Sequence, residues 1–224
     1  GGAGGGAGGG RAPDGLQTAA VVLVSPSEAA ASSAAGCAAL VGAVAFCAGA
    51  GARGIWLYEP GGALKERGFQ ERFRKALRSQ TGGGASVCCL QGGRALPPGG
   101  ASSSERGHPV VYLASAEDGT EPAAEAAALL AQAACMGGLM GGGEPGLAVE
   151  KRVNRAIGHT CGPQACEEVD LILVVGDVLT LAGFPPWLTR SSEIHHLAGL
   201  SELSEHKLKR TLARYYGTAQ RLGA

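Results

Sequence analysis

Four nearly uninterrupted apolar runs of strand length recur between segments of helical periodicity: 20–24 (AVVLV), 54–58 (GIWLY), 109–113 (PVVYL) and 169–175 (VDLILVV). A strand exposed on one face alternates apolar and polar side chains, whereas a strand covered on both faces does not. The runs therefore predict a mostly parallel sheet wrapped by helices, an α/β fold. The helical segments between them are 27–49, 64–78, 121–135 and 148–157. At 224 residues the chain is expected to form one such domain with loop insertions.

In the second helical segment Phe69, Phe73 and Leu77 repeat every four residues and make one apolar stripe. Lys65, Arg67, Arg72, Arg74, Lys75 and Arg78 are expected on its solvated face. The last helix is predicted to start after an N-cap at Ser204, with Glu205 at the positive end of its dipole. It should bury a face carrying Leu208, Leu212, Tyr215 and Ala219 and run to about Arg221. Residues 34–52 carry no charge and approach the roughly 20 residues that cross a bilayer. Alanine and glycine dominate that run and apolar strands flank it, so a packed helix is expected there.

Nineteen basic and nineteen acidic residues cancel, so no overall field draws the chain to nucleic acid or to an acidic membrane surface. Glycine is concentrated at 1–15, 81–107 and 137–146, where the composition does not offset the entropy of ordering a backbone. Residues 1–17 are accordingly expected as a disordered tail before a domain at 18–224, with flexible insertions at 81–107 and 137–146. Seven cysteines, an odd number with no CxxC pair, argue against a disulfide framework and fit a reduced, cytosol-facing environment.

The common signatures of independent catalysis are missing. No glycine block ends in the Lys-Ser/Thr of a phosphate-binding loop, and no GxGxxG lies between a strand and a helix. His159, Cys161 and Cys166 do not match a zinc spacing. His195 and His196 would face opposite ways on an extended segment. Ser191, Ser192 and Glu193 lack a GxSxG elbow, and Asp118 is read as a helix cap rather than a general base. These residues favour a protein without an active site of its own.

Five segments, in order, carry a resemblance: GIWLYEPGGALKE at 54–66, YLASAEDG at 112–119, VDLILVVG at 169–176, GFPPWLTRSSEI at 183–194 and QRLG at 220–223. Together they resemble the Nogo-B receptor type, the accessory subunits of the heteromeric cis-prenyltransferase that makes dehydrodolichyl diphosphate. The resemblance is loose over 18–224 and closer over 165–224. It implies the fold of undecaprenyl diphosphate synthase.

Catalytic members of that larger family resemble D-L-x-I-R-T-G-G-E-x-R-x-S-N-F-x-x-W after the corresponding strand, with two arginines and a serine gripping a diphosphate. Here Asp170, Gly176, Phe184 and Trp187 stand at matching places. Val174 and Thr180 replace the arginines, and Ala182 replaces the serine. Neither Val nor Thr supplies the charge-assisted fork that holds a diphosphate. After the first strand the family's Asp-Gly-Asn is likewise replaced, and Glu28 is the one nearby carboxylate, a poor start for an octahedral Mg²⁺ site.

The resemblance assigns the remaining roles. Arg221 and Gly223 match an R-x-G tail that reaches into a catalytic partner's site, with Ala224 as one extra residue. Arg221 would face isopentenyl diphosphate, and Gly223 would let a backbone amide approach it closely. Trp187, Arg190, Glu193, Ile194 and Leu197 are expected at the subunit interface. Mg²⁺ would be bound mainly by the partner. The complex is expected at the cytosolic face of the endoplasmic reticulum membrane, attached through the complex or through an anchor upstream of Gly1. The rival reading is a scaffold or receptor of the same fold with no part in lipid synthesis.

Overall fold

The computed structural model describes residues 19–24, 29–96, 108–135, 156–157, 169–189 and 192–217. Their elements are β1 (Ala19–Val24), α1 (Ala34–Gly49), β2 (Gly54–Tyr58), α2 (Arg67–Thr81), β3 (Ser86–Gln91), β4 (Arg94–Leu96), β5 (Val110–Ala114), α3 (Thr120–Cys135), β6 (Val169–Val175), β7 (Glu193–Leu197) and α4 (Glu205–Gly217). Short 3₁₀ turns lie at Ala29–Ser32, Ala63–Lys65, Ala116–Asp118, Pro186–Leu188 and Leu200–Glu202.

The strands form one sheet in the order β4-β3-β5-β2-β1-β6-β7. All neighbours are parallel except the hairpin β3–β4. The expected strands therefore sit at the centre of the sheet, with every residue of β2 buried and β6 buried except at Asp170, which is half-buried.

Residues alternate between two cores along each central strand. Ile55, Leu57, Val111, Leu113, Leu171, Leu173 and Val175 face one side and pack with α1, α2 and α4. Trp56, Tyr58, Tyr112, Ile172 and Val174 face the other and pack under Phe184 and Leu188. The α2 stripe is buried as its spacing predicts, with Phe69 and Phe73 stacked at 5.5 Å. Helix α1 is capped by Ser33, whose Oγ accepts from Gly36 N at 3.1 Å. Seven of its residues are buried against the sheet and α2, from Gly36 to Cys47. No helix among the described residues is long and apolar enough to cross a membrane.

Ser204 caps α4, accepting from Leu208 N through its carbonyl at 2.9 Å. Residues 218–224, with the predicted last turn, Arg221 and Gly223, lie outside the described residues, as do 1–18, 137–146, Glu28, His159, Cys161, Cys166 and most of the helix expected at 148–157.

The stretch 81–107 departs from the expectation of a flexible insertion throughout. Its first part is the β3–β4 hairpin, joined by Gly92 and Gly93 at φ 53° and 76°. Two residues at positive φ give the turn whose twist matches paired strands, a conformation open to a Gly-Gly pair. Val87 is buried in the first core and Leu90 in the second, and together they hold the hairpin against β5. Residues 97–107 lie outside the described residues.

Candidate functional site at the carboxyl edge of the sheet

Ligands of open parallel sheets bind beyond the carboxyl ends of the strands, where neighbouring connections run in opposite directions. Here that point lies between β1 and β6, since the chain leaves β1 toward β2 on one side and returns as β6 on the other. Three described connections line this edge: 59–62 after β2, 115–119 after β5 and 176–185 after β6.

The first two are tied together by charge. Glu59 is 8% exposed, and its carboxylate accepts from Gly61 N and Ala63 N, both at 2.7 Å. Lys65 donates to Ser115 Oγ and Asp118 Oδ2, each at 3.0 Å, and pairs with Glu117. Burial pulls the Lys65 ammonium down, but its bonds to Glu117 and Asp118 outweigh this and hold it above the ordinary lysine value. The same bond holds the exposed Glu117 carboxyl below its ordinary range. Asp118 also accepts from Ser115 N at 2.8 Å and from Gly93 N at 3.0 Å. It closes a capping box with Ser115, so it is a cap, as its position predicts. Lys65 departs from the solvated face expected for the charges near α2, because this acidic pair draws it inward to 11% side-chain exposure.

The third connection and the end of β6 hold Val174, Thr180 and Ala182, the positions singled out by the resemblance. Val174 is fully buried among Trp56, Tyr58 and Phe184. Thr180 turns its hydroxyl inward to accept from Ala182 N at 3.1 Å. Ala182 has φ 46°, and its carbonyl accepts from the Tyr58 phenol at 2.6 Å. The Phe184 ring meets Tyr58 and Trp56 edge-on at 5.3 and 6.0 Å. Gly119 lies so close to Gly183 that a Cβ there would stand 2.4 Å from the Gly183 carbonyl. From 176 to 189 there is no Lys or Arg. Asp177, Val178 and Leu179 form an exposed tip, with Val178 and Leu179 55% and 60% exposed.

These groups do not suit a divalent cation. The oxygens of Glu59 and Asp118 are engaged by backbone amides and Lys65, and no set of three candidate ligands converges among the described residues. Among the described residues this edge therefore offers no donor set for Mg²⁺.

The expected interface residues separate. Ile194 points outward from the edge strand and is 42% exposed, while Glu193 Oε1 accepts from His195 Nε2 at 2.7 Å. His196 faces the opposite side from His195 and donates from Nε2 to Gly176 O at 2.7 Å, as adjacent residues of a strand must. Trp187 is half-buried, packs toward Ala126 and Ile157, and has a buried indole N–H without a partner. Leu197 corrects the expectation: it points into the core at 6% exposure and presents no surface to a partner. The register explains this, since Leu197 pairs with Val175, whose side chain faces α1 and α4. Arg190 and Ser191 lie outside the described residues.

Sequence reasoning missed the Tyr58–Ala182 and Gly119–Gly183 contacts. The available signal was the polar phenol at the end of an apolar strand, which requires a partner once buried.

No family model and no curated protein matches this sequence. Solved structures do match in shape. Lavandulyl diphosphate synthase from Lavandula x intermedia, solved with dimethylallyl diphosphate, superposes at a TM-score of 0.60 with 13% identity, covering 92% of this chain and 97% of that one. A probable undecaprenyl diphosphate synthase from Campylobacter jejuni superposes at 0.56, also with 13% identity, covering 93% and 99%. The class defined by the architecture is thus α/β with the cis-prenyltransferase fold. In this chain residues 176–189 of the connection after β6 include no Lys or Arg, and Arg190 follows them.

Proposed function

We infer that this chain is the non-catalytic subunit of a heteromeric dehydrodolichyl diphosphate synthase. One observation carries the reading: a prenyl diphosphate synthase fold whose diphosphate loop has no cation and has Val174 sealed in the core. A diphosphate needs charge-assisted donors, and a buried valine cannot be exchanged for one by a side-chain rotation.

In this reading the catalytic cis-prenyltransferase partner binds Mg²⁺ and condenses isopentenyl diphosphate onto farnesyl diphosphate, supplying dolichol synthesis for protein glycosylation. Arg221 adds a guanidinium to the isopentenyl diphosphate in the partner's site, and Gly223 brings a backbone amide close. The complex works at the cytosolic face of the endoplasmic reticulum membrane.

Co-expression with a catalytic cis-prenyltransferase tests this. The pair should co-elute in size exclusion, the pair should turn over, and this chain alone should not. Arg221→Ala should lower turnover about 100-fold while the pair still assembles. Unchanged turnover in an intact complex refutes the tail's role. Failure to co-elute favours the scaffold reading instead.

A further inference from the structure

The chain is neutral overall, but its charge is spread unevenly. Helices α1, α2 and α4 pack on one side of the sheet, with α1 between the other two and touching both. Their apolar faces supply the first core, so their charged residues are forced outward. Together α2 and α4 hold nine basic and two acidic residues, a net of +7, while α1 holds no charge of either sign. Glu66 and Glu202, just before α2 and α4, lower this to +5. Arg67, Arg72, Lys75 and Arg78 are exposed on α2, as are Lys209, Arg210 and Arg214 on α4. Arg67 pairs with Glu71 and Lys209 with Glu205, each along its own helix and in solvent, where such pairs are weak. Lys75, Arg78 and Arg210 have no carboxylate partner among the described residues.

Between these cationic flanks α1 presents Ala34, Ala35 and Ala38 to solvent, and a Cβ added at Gly42 or Gly49 would meet nothing within 4 Å. The 16 residues of this ridge run about 24 Å at roughly 1.5 Å per residue. The ridge has no charge to desolvate and no large side chain to enter a pocket. A protein interface is carried by large side chains seated in pockets, and nucleic-acid recognition adds polar donors or stacking rings within the cationic surface. A small, uncharged ridge supplies neither. It lets a broad anionic surface approach until the cations on both sides engage, which suits lipid headgroups.

We propose that the outer face of α1, α2 and α4 seats on an anionic bilayer surface, with Lys75, Arg78 and Arg210 as its principal contacts and α1 lying along the headgroups. This surface is independent of the heteromeric reading. The rest of the neutral chain carries the balancing negative charge and is repelled by the same surface, so the protein binds in one orientation. The sheet then lies along the bilayer, and its carboxyl edge opens sideways rather than into the headgroups. The attraction acts within a Debye length of about 8 Å at physiological salt.

The test is co-sedimentation of the full chain with vesicles. Phosphatidylcholine vesicles containing about 30% phosphatidylserine should bind it at least about 100-fold more tightly than phosphatidylcholine alone, and the difference should collapse as salt rises from about 0.05 to 0.5 M. Each cation near such a surface contributes about fivefold in affinity, so Lys75→Gln with Arg78→Gln and Arg210→Gln should weaken binding about 100-fold. The melting temperature should not move, since all three side chains are exposed. Ala124→Glu with Ala127→Glu and Ala131→Glu makes the same change in net charge on the exposed side of α3, across the sheet, and should leave binding within about threefold. A wild-type chain that does not distinguish the two vesicles overturns the proposal, and so does a loss in the first triple variant no greater than in the second. Tighter binding to a single-stranded RNA or to polyglutamate than to the phosphatidylserine vesicles at equal salt assigns the face to a nucleic acid or an acidic protein and also overturns it.

Discussion

The ammonium of Lys65 stands 3.0 Å from the carboxylate of Asp118, whose side chain is wholly removed from solvent. This contact joins the connection after β2 to the one after β5, and through Gly93 it also fixes the β3–β4 hairpin. The connections after β2 and β5 are thus joined by a buried ion pair, beside the aromatic packing that holds the connection after β6.

Breaking a buried pair leaves a charge without compensation. Asp118→Asn and Lys65→Met should each cost about 3 kcal/mol in urea unfolding. The double variant should cost less than their sum by more than about 1 kcal/mol. Strict additivity would show that the two charges are not coupled.

Stability should fall on the alkaline side. Burial, with the charges of Asp118 and Glu59, pushes the Tyr58 phenol from 10.0 up to about 12. The unfolded phenol ionises first, so folded Tyr58 keeps its proton while pH rises from 10 to 12 and unfolding releases it. Lys65 acts in the same direction, since its raised value gives stability that is present below ordinary lysine ionisation and lost as pH climbs through the folded value. Denaturation at pH 9 and pH 11 should therefore differ by roughly 2 kcal/mol, and Tyr58→Phe should flatten that slope.

Placing arginine at the two positions where the resemblance implies one should have unequal effects. Val174→Arg buries an unpaired cation in the core and should cost more than about 4 kcal/mol or prevent folding. Thr180→Arg replaces a half-buried side chain with one inward hydrogen bond and should cost about 1 kcal/mol. Neither should give the isolated chain synthase activity, assayed by isoprenoid elongation.

The thiols should separate by exposure. Cys47 is buried, and burial pushes its thiol up to about 12, so it should resist alkylation in the native state. Cys135 is exposed and should label first among the five described cysteines. Mass-resolved alkylation over time at pH 8 distinguishes them.

The central strands were legible because burial on both faces leaves no choice of residue but apolar ones, so 54–58 and 169–175 match β2 and β6 throughout. The α2 stripe and the Ser204 cap were legible for similarly local reasons. The edge strands were not. Ser86–Gln91 is only partly buried and flanked by glycine, and Glu193–Leu197 mixes charge and imidazole, so neither shows a strand pattern above its surroundings. The substitutions at Val174, Thr180 and Ala182 were readable from aligned motifs. Their three-dimensional consequence was not, because the Tyr58–Ala182 contact joins residues 124 positions apart and leaves no local mark. Leu197 was misplaced for the same reason, since which way it points depends on its register with β6.

Strand β1 pairs with β2 on one flank and with β6 on the other, aligning Ala19 with Val169. At translation speeds of about 5–20 residues per second, the second neighbour emerges roughly 7–30 s after the first strand. Through that interval a nascent chain carries a bare apolar ribbon in the middle of its future sheet. Chaperone demand during synthesis, and the solubility of fragments ending before β6, should both follow from this one late pairing.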